Sequence, residues 1–405
     1  MALQASVTRQ GYVATANNSL IFERLLPAMN RRDWLKVIGA AVPATWQGTA
    51  CLVRKPRPPA LAQVNVSADR VIRTVAGLRP FRPSGFVLRR EELGPKTIIH
   101  NYGHGGCGVT LSWGTDHLAV EEALKTNQTK YAVLGCGAVG LATARLLQRR
   151  GFEVTIYAKD PPPNTTSNIA GALWGPVGLF DSDKLTPEFL DQLTRAARLS
   201  NRYFQDLVGD YYGVLWIDIY LLGERPDRGE GLLEDVRVQK ALGDLFHGPH
   251  TLSLQERPFA FNYVYRYVSM LIEPPIYLNA VLRDFLLAGD KVVVREFADL
   301  RAVSSLPQPV IMNCTGLGAK ALFNDEELTP IKGQLSILLP QPEVTYTYMN
   351  YMSPDDLYMF PRRDGVLLGG TFERGVWSLE PSPVETERIL KGHAKIMREM
   401  RVVSL

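Results

Sequence analysis

The apolar and polar positions of this chain change period repeatedly, and each change marks an element. Tyr131-Ala132-Val133-Leu134 is a short continuous apolar run, residues 141–149 place apolar side chains at helical spacing, and Glu153-Val154-Thr155-Ile156-Tyr157 is strand-like again. Upstream, the pattern predicts a helix from near Thr110 to about Leu124, then a polar connector over 125–130. Downstream, residues 190–198 are helical in period, whereas 213–222 are β-branched and aromatic and read as a strand. Residues 224–230, rich in Arg, Asp and Gly, read as a solvated loop. Pro274-Pro275 opens a helix to about Ala288, and 291–295, 310–312 and 333–338 are further strands. No internal repeat or low-complexity tract interrupts the succession.

The run at 131–134 feeds Gly135-Cys136-Gly137-Ala138-Val139-Gly140, from which the helix and the second strand leave. Glycines framed by strand, helix and strand make a dinucleotide-binding turn. They set a diphosphate at a helix N-terminus, where free N–H groups and the positive dipole end suit an anion. Without a ligand, the same spacing describes only a tight helix–strand junction. A second glycine-rich segment, His100-Asn101-Tyr102-Gly103-His104-Gly105-Gly106-Cys107-Gly108-Val109-Thr110, precedes it.

That second segment, continued by Leu111-Ser112-Trp113-Gly114, resembles the last flavin-contacting motif of the D-amino-acid oxidase family, whose members are FAD enzymes. Gly77-Leu78-Arg79-Pro80-Phe81-Arg82-Pro83 resembles the family's substrate-arginine motif. Thr165-Thr166-Ser167-Asn168-Ile169-Ala170-Gly171-Ala172-Leu173-Trp174 is similar to its second flavin segment, and Asn313-Cys314-Thr315-Gly316 to its third. Asp356-Leu357-Tyr358-Met359-Phe360-Pro361 with Gly369-Gly370-Thr371 resembles its substrate-sheet motif. The resemblance covers residues 65–395 and implies an α/β fold: a Rossmann-like, GR2-type FAD-binding domain interleaved with an α+β substrate domain on a mostly antiparallel sheet. The FAD domain would take residues 60–124, 131–180 and 301–329, and the substrate domain 181–300 and 330–395.

The motif order is rotated relative to the family, since the piece expected at the C-terminus, 60–124, comes before the first strand. The sequence therefore reads as circularly permuted. A helix from Thr110 to Leu124 spans roughly 20 Å, about a strand length, so it would deliver the chain to the edge of the sheet where the strand at Tyr131 begins.

The resemblance also assigns roles. Arg79 would bind a substrate carboxylate bidentately, with the Tyr358 hydroxyl assisting and Gly106 nearby. Arg82 would serve packing or a local ion pair. The family's second tyrosine meets Pro354 here, so Tyr351 or Tyr348 would substitute from the same loop. Gly135, Gly137, Ala138, Val139 and Gly140 would cradle the diphosphate. Asp160, beside Lys159 where the family usually has Asp, would take the ribose hydroxyls, and Thr165, Thr166, Ala172, Leu173 and Thr315 would complete the site. Ala172 stands in place of a family glycine. Gly105, Gly106, Gly108, Val109 and Thr110 would open a helix whose dipole favours negative charge at the flavin's pyrimidine end. His104 would order that loop rather than act as a base.

Composition narrows the classes. With 405 residues, 46% hydrophobic and 21% charged, the chain buries a large core, and a net charge of +4 without basic–aromatic runs argues against nucleic acid. The four cysteines, at 51, 107, 136 and 314, suggest neither a metal centre nor a disulfide framework. Met29-Asn30-Arg31-Arg32-Asp33-Trp34-Leu35-Lys36, followed by the apolar run 37–42, resembles a twin-arginine export signal, with a leader at 29–55 and an extension of uncertain role at 1–28. Met29 is an alternative start. Gly48-Thr49-Ala50-Cys51 is similar to a lipid-attachment site but lacks the usual leucine, leaving a lipid anchor at Cys51 open; the apolar run is too short for a transmembrane helix. The expected compartment is the bacterial periplasm or cell envelope, with the cytoplasm as the alternative.

The implied activity is an FAD-dependent oxidase: D-amino acid and dioxygen give 2-oxo acid, ammonia and hydrogen peroxide, with hydride passing from Cα to flavin. Rivals are a glycine/sarcosine-type oxidase, a D-aspartate oxidase drawing an extra cation from Arg362 or Arg363, and a flavin dehydrogenase feeding a membrane acceptor. A homodimer is left open.

Overall fold

Two sheets account for the alternating patterns. A computed structural model describes residues 61–224, 233, 235–350 and 356–401; the leader with Arg31, Arg32 and Cys51, most of the loop at 224–230, and Tyr351 with Pro354 lie outside the described residues. In chain order come β1 (Val71–Phe81), β2 (Val87–Leu93), β3 (Lys96–Tyr102), α1 (Ser112–Leu124), β4 (Lys130–Leu134), α2 (Ala138–Gln148), β5 (Glu153–Ala158), α3 (Pro187–Asp206) and β6 (Val214–Gly223). Then follow β7 (His247–Thr251), β8 (Tyr263–Ile272), α4 (Pro274–Leu287), β9 (Lys291–Val294), β10 (Val310–Asn313), β11 (Thr329–Leu338), β12 (Tyr346–Asn350), β13 (Leu357–Arg362), β14 (Gly365–Gly369), β15 (Glu373–Arg374) and α5 (Pro383–Arg398). Among the described residues, no helix is long and apolar enough to cross a membrane.

The six-stranded sheet has the order β2-β3-β10-β4-β5-β9, parallel except for β2 at one edge. Its central strands read as unbroken apolar runs because helices cover both faces; in β4 only Lys130 is exposed. Helix α3 starts where the Thr186 hydroxyl accepts from the Phe189 N–H (3.2 Å) ahead of Pro187. Its buried stripe, Leu193, Ala196, Ala197, Ser200 and Phe204, recurs every three to four residues. It lies so close to α1 that a Cβ on Gly114 would sit 1.8 Å from the Ala196 carbonyl oxygen.

The nine-stranded sheet runs β1-β11-β14-β13-β12-β6-β8-β7, with β15 on β11, and is mostly antiparallel. Alternation assigns its faces. Met349, Tyr358 and Phe360 turn toward a large cavity between the sheets, whereas Tyr346, Tyr348, Leu357 and Met359 pack behind it with Ile389, Ile396 and Met397 of α5.

Several expectations change here. Residues 71–81 leave the FAD-domain segment, because β1 pairs with β11 and places Arg79 opposite Ile331 in the nine-stranded sheet. Residues 291–294 leave the substrate domain, because β9 pairs in parallel with β5. The helix expected near Thr110 begins at Ser112, after a single tight turn at Gly105–Cys107. Tyr348 is neither in a loop nor at the cavity. It is fully buried on the far face of β12.

Candidate active site

The parallel strands of the six-stranded sheet open at their C-terminal ends on a cavity of about 1680 Å³, the place where open α/β sheets hold ligands. This exceeds the roughly 1,000 Å³ that suffices for a drug-sized molecule and is of dinucleotide scale. Gly135 turns the chain at φ +106°, its N–H donating to the Tyr157 carbonyl at 2.8 Å; a Cβ there would meet the Cys314 carbonyl oxygen at 2.4 Å. Gly137 caps α2, and Gly135, Gly137, Ala138 and Val139 line the cavity. Gly140 does not: a Cβ there would lie 2.1 Å from the Gly135 carbonyl oxygen, so this glycine packs helix against turn.

Asp160, Thr165, Thr166, Ala172, Leu173 and Thr315 all line the same cavity. Lys159, Asp160's neighbour, pairs with Glu296 at 2.7 Å. Ala172 holds φ +54°, the left-handed region that suits the glycine it replaces. Sequence reasoning passed over Ser167 and Asn101. Ser167 Oγ accepts from the Ala138 N–H at 3.1 Å, placing a hydroxyl at the first turn of α2. Asn101 Nδ2 donates to the buried Asp116, whose carboxyl burial holds well above the usual range. Burial also pushes the Cys136 thiol up to about 12, so it stays protonated and inert.

Gly105, Gly106, Gly108 and Val109 also line the cavity, whereas Thr110 does not, its carbonyl accepting from Ser200 Oγ at 2.6 Å. Gly105 stands at φ +53°, and its Cβ would be 2.3 Å from the Gly178 carbonyl oxygen, which also accepts from the Gly106 N–H at 3.2 Å. His104 stacks on Phe86 and meets Thr115 Oγ1 at 3.0 Å; burial lowers its pKa to about 3, so it orders the loop as a neutral ring.

Arg79 and Tyr358 come together although they are 279 residues apart: Arg79 Nη2 donates to the Tyr358 hydroxyl at 3.3 Å. Arg79 Nη1 is buried and has no partner among the described residues. The guanidinium lies against Gly333, where a Cβ would be 2.6 Å from Nη2, and Gly106 faces the arginine stem. A half-buried guanidinium whose Nη1 is buried and unused calls for a planar anion such as a carboxylate. Arg82 is held locally by Asp325 (2.8 Å) and Glu327. Neither Arg362 nor Arg363 supplies a second cation to the cavity: the first pairs with Asp364 at 2.5 Å, the second with Glu273 at 2.6 Å and Asp210 at 3.2 Å.

A glycine cradle at a helix N-terminus, facing a carboxylate-ready arginine across one cavity, defines a dinucleotide-dependent oxidoreductase. The profile of the DAO family, described as FAD dependent oxidoreductase, matches residues 130–404, and the chain belongs to that family. It is 31% identical over 267 residues to a D-amino-acid oxidase of Rubrobacter xylanophilus, covering 64% of this chain and 74% of that protein. It is 28% identical over 284 residues to a D-amino-acid oxidase of Dictyostelium discoideum, covering 65% and 72%. Among solved structures, glycine oxidase from Geobacillus kaustophilus superposes with a TM-score of 0.51 at 18% identity, over 68% of this chain and 81% of that one, which supports the fold.

Proposed function

We propose that the protein oxidises D-amino acids, the carboxylate held by Arg79 and the substrate delivered from the cavity to FAD. The observation that carries this reading is the buried, unused Nη1 of Arg79 beside the Tyr358 hydroxyl. Gly135, Gly137, Ala138 and Val139 would hold the diphosphate, Asp160 the ribose, and the Gly105–Cys107 turn with Gly108 and Val109 the flavin end. The chemistry supplied by FAD in this cradle would be acceptance of the Cα hydride, with dioxygen as the final electron acceptor and hydrogen peroxide as its product. The protein's share is orientation: the arginine fork and tyrosine hydroxyl fix the carboxylate, so that Cα–H has one approach. Phe360, Leu335, Met349 and Tyr267 give the cavity an apolar wall. A peroxide-coupled screen of D- and L-amino acids in air, without added acceptor, tests it. Peroxide from D-amino acids alone is expected; turnover only with an added quinone would replace the oxidase with a dehydrogenase.

We also propose that the chain carries the family's parts in rotated order. The family profile starts at residue 130, yet residues 61–124 supply Arg79 and the glycine wall. The ends of this unit also meet: Val64 N–H donates to Met397 Sδ at 3.2 Å, and Tyr346 OH, which donates to the Ala62 carbonyl at 2.8 Å, lies 3.8 Å from Met400 Sδ. A chain starting at Lys130 is expected to hold no FAD. Rejoining residues 60–124 after Leu405 through a short linker is expected to restore both binding and turnover, measured by flavin absorbance and peroxide. Tight FAD binding by the shortened chain alone would end this idea.

For location, we propose export to the periplasm or cell envelope on the strength of Arg31-Arg32 and the apolar run behind them. Changing both arginines to lysine is expected to leave folded, FAD-loaded protein in the cytoplasm, as fractionation reads. Undiminished arrival outside the inner membrane would remove the signal.

A further inference from the structure

Helix α5 lies on the far side of the nine-stranded sheet from the cavity, yet it reaches the backbone beneath Tyr358. Gly369 is the cross-strand partner of Tyr358, and the tyrosine ring lies directly on Gly369 and Gly370: a Cβ on either would come within 2.3 Å of a ring atom. The carbonyls of these two glycines are both held by side chains of α5. His393 Nε2 bonds the Gly369 oxygen at 2.7 Å, and Arg388 Nη2 bonds the Gly370 oxygen at 2.7 Å. A carbonyl only accepts, so Nε2 carries the proton. His393 Nδ1 is therefore an acceptor, and the buried Tyr348 hydroxyl donates to it at 2.5 Å. Burial keeps the ring neutral, with a pKa lowered to about 4, and its two hydrogen bonds set which nitrogen carries the proton. Tyr348, His393 and the Gly369 carbonyl thus form a closed chain with every polar atom satisfied.

We propose that His393 is a positioning residue: by holding the Gly369 carbonyl it fixes the floor under the Tyr358 ring, and so keeps the hydroxyl aligned with Arg79 for binding the substrate carboxylate. The step from Arg79 to a carboxylate rests on the amino-acid oxidase reading above. His393→Leu removes the donor at similar bulk, whereas His393→Gln returns an amide N–H to the Nε2 position.

With FAD-loaded protein, His393→Leu is expected to raise the amino-acid KM about tenfold, the order of one buried hydrogen bond, with kcat changed by less than about threefold. FAD content is expected to stay the same. The dissociation constant of acetate, read from the flavin absorbance change, is expected to rise in parallel, and His393→Gln to recover most of both losses. If His393→Leu does not fold, Arg388→Met at the half-buried end of the clamp is the second variant, expected to raise KM and the acetate constant in the same direction. Unchanged KM and acetate affinity in the variant that folds, or equal defects in the Leu and Gln variants, would overturn the assignment. The acetate arm needs no turnover, so absence of amino-acid oxidation in the unaltered protein would count against the oxidase reading alone.

Discussion

Gly137→Val is expected to yield a folded protein without FAD. The three glycines of the turn differ in what a side chain would meet. At Gly135 a Cβ would strike the Cys314 carbonyl oxygen at 2.4 Å, and at Gly140 the Gly135 carbonyl oxygen at 2.1 Å, so substitution at either damages the packing itself. Gly137 has an ordinary φ of −77°, and its Cβ would meet only Ser167 Oγ, at 3.1 Å. Valine there leaves the strand and helix in place and puts its branch into the cradle, where the backbone must approach a diphosphate closely. The measurement is the flavin spectrum of the purified protein beside its circular dichroism. A yellow protein with a normal spectrum would contradict the cradle.

Arg79→Lys is expected to leave FAD content normal and to weaken substrate binding severely. An ammonium is a point charge and cannot reproduce the planar fork, and the contact of the guanidinium with Gly333 would be lost. Truncating one member of a buried charge pair costs about 2–5 kcal/mol, so KM is expected to rise by roughly thirtyfold or more. Tyr358 would lose its partner at 3.3 Å, so a fall in kcat is expected as the substrate loses its fixed approach. A steady-state comparison at constant flavin content checks both, and an unchanged KM would remove Arg79 from the site.

What could be read from the sequence was local. β4, the glycine turn, α2 and β5 are set by period and by glycine spacing within a 30-residue stretch, and the structure has them within a few residues of the expected bounds. What depended on distant pairing could not be read. Nothing in the strand 71–81 says that its partner is β11, and nothing in Lys291-Val292-Val293-Val294 says which sheet it joins. The error at Tyr348 is one of parity: in a strand, adjacent residues face opposite ways, so Met349 reaches the cavity and Tyr348 the opposite core. Ser167, Gly333 and His393 act on residues far away in the chain, and no local pattern distinguishes them from an ordinary turn serine, strand glycine or helix histidine. Arg79 and Tyr358 were legible only through resemblance, since an arginine between apolar residues and a tyrosine in a strand are each commonplace.

The pairing of β1 with β11 and of β3 with β10 also sets a timetable for synthesis. His100 and Asn313, side by side in the folded sheet, are 213 residues apart. A ribosome adding about 5–20 residues per second leaves the earlier strand waiting roughly 10–40 s for the later one. The β2–β3 hairpin has both its strands within that interval, but the strand partner that β1 has among the described residues, 329–338, emerges only later. Nascent chains arrested near residue 300 are therefore expected to be cut by protease between 71 and 81, and full-length chains to resist. In this order of parts, the strand bearing Arg79 is made well before the strand it pairs with, so the arginine's place in the sheet waits for β11.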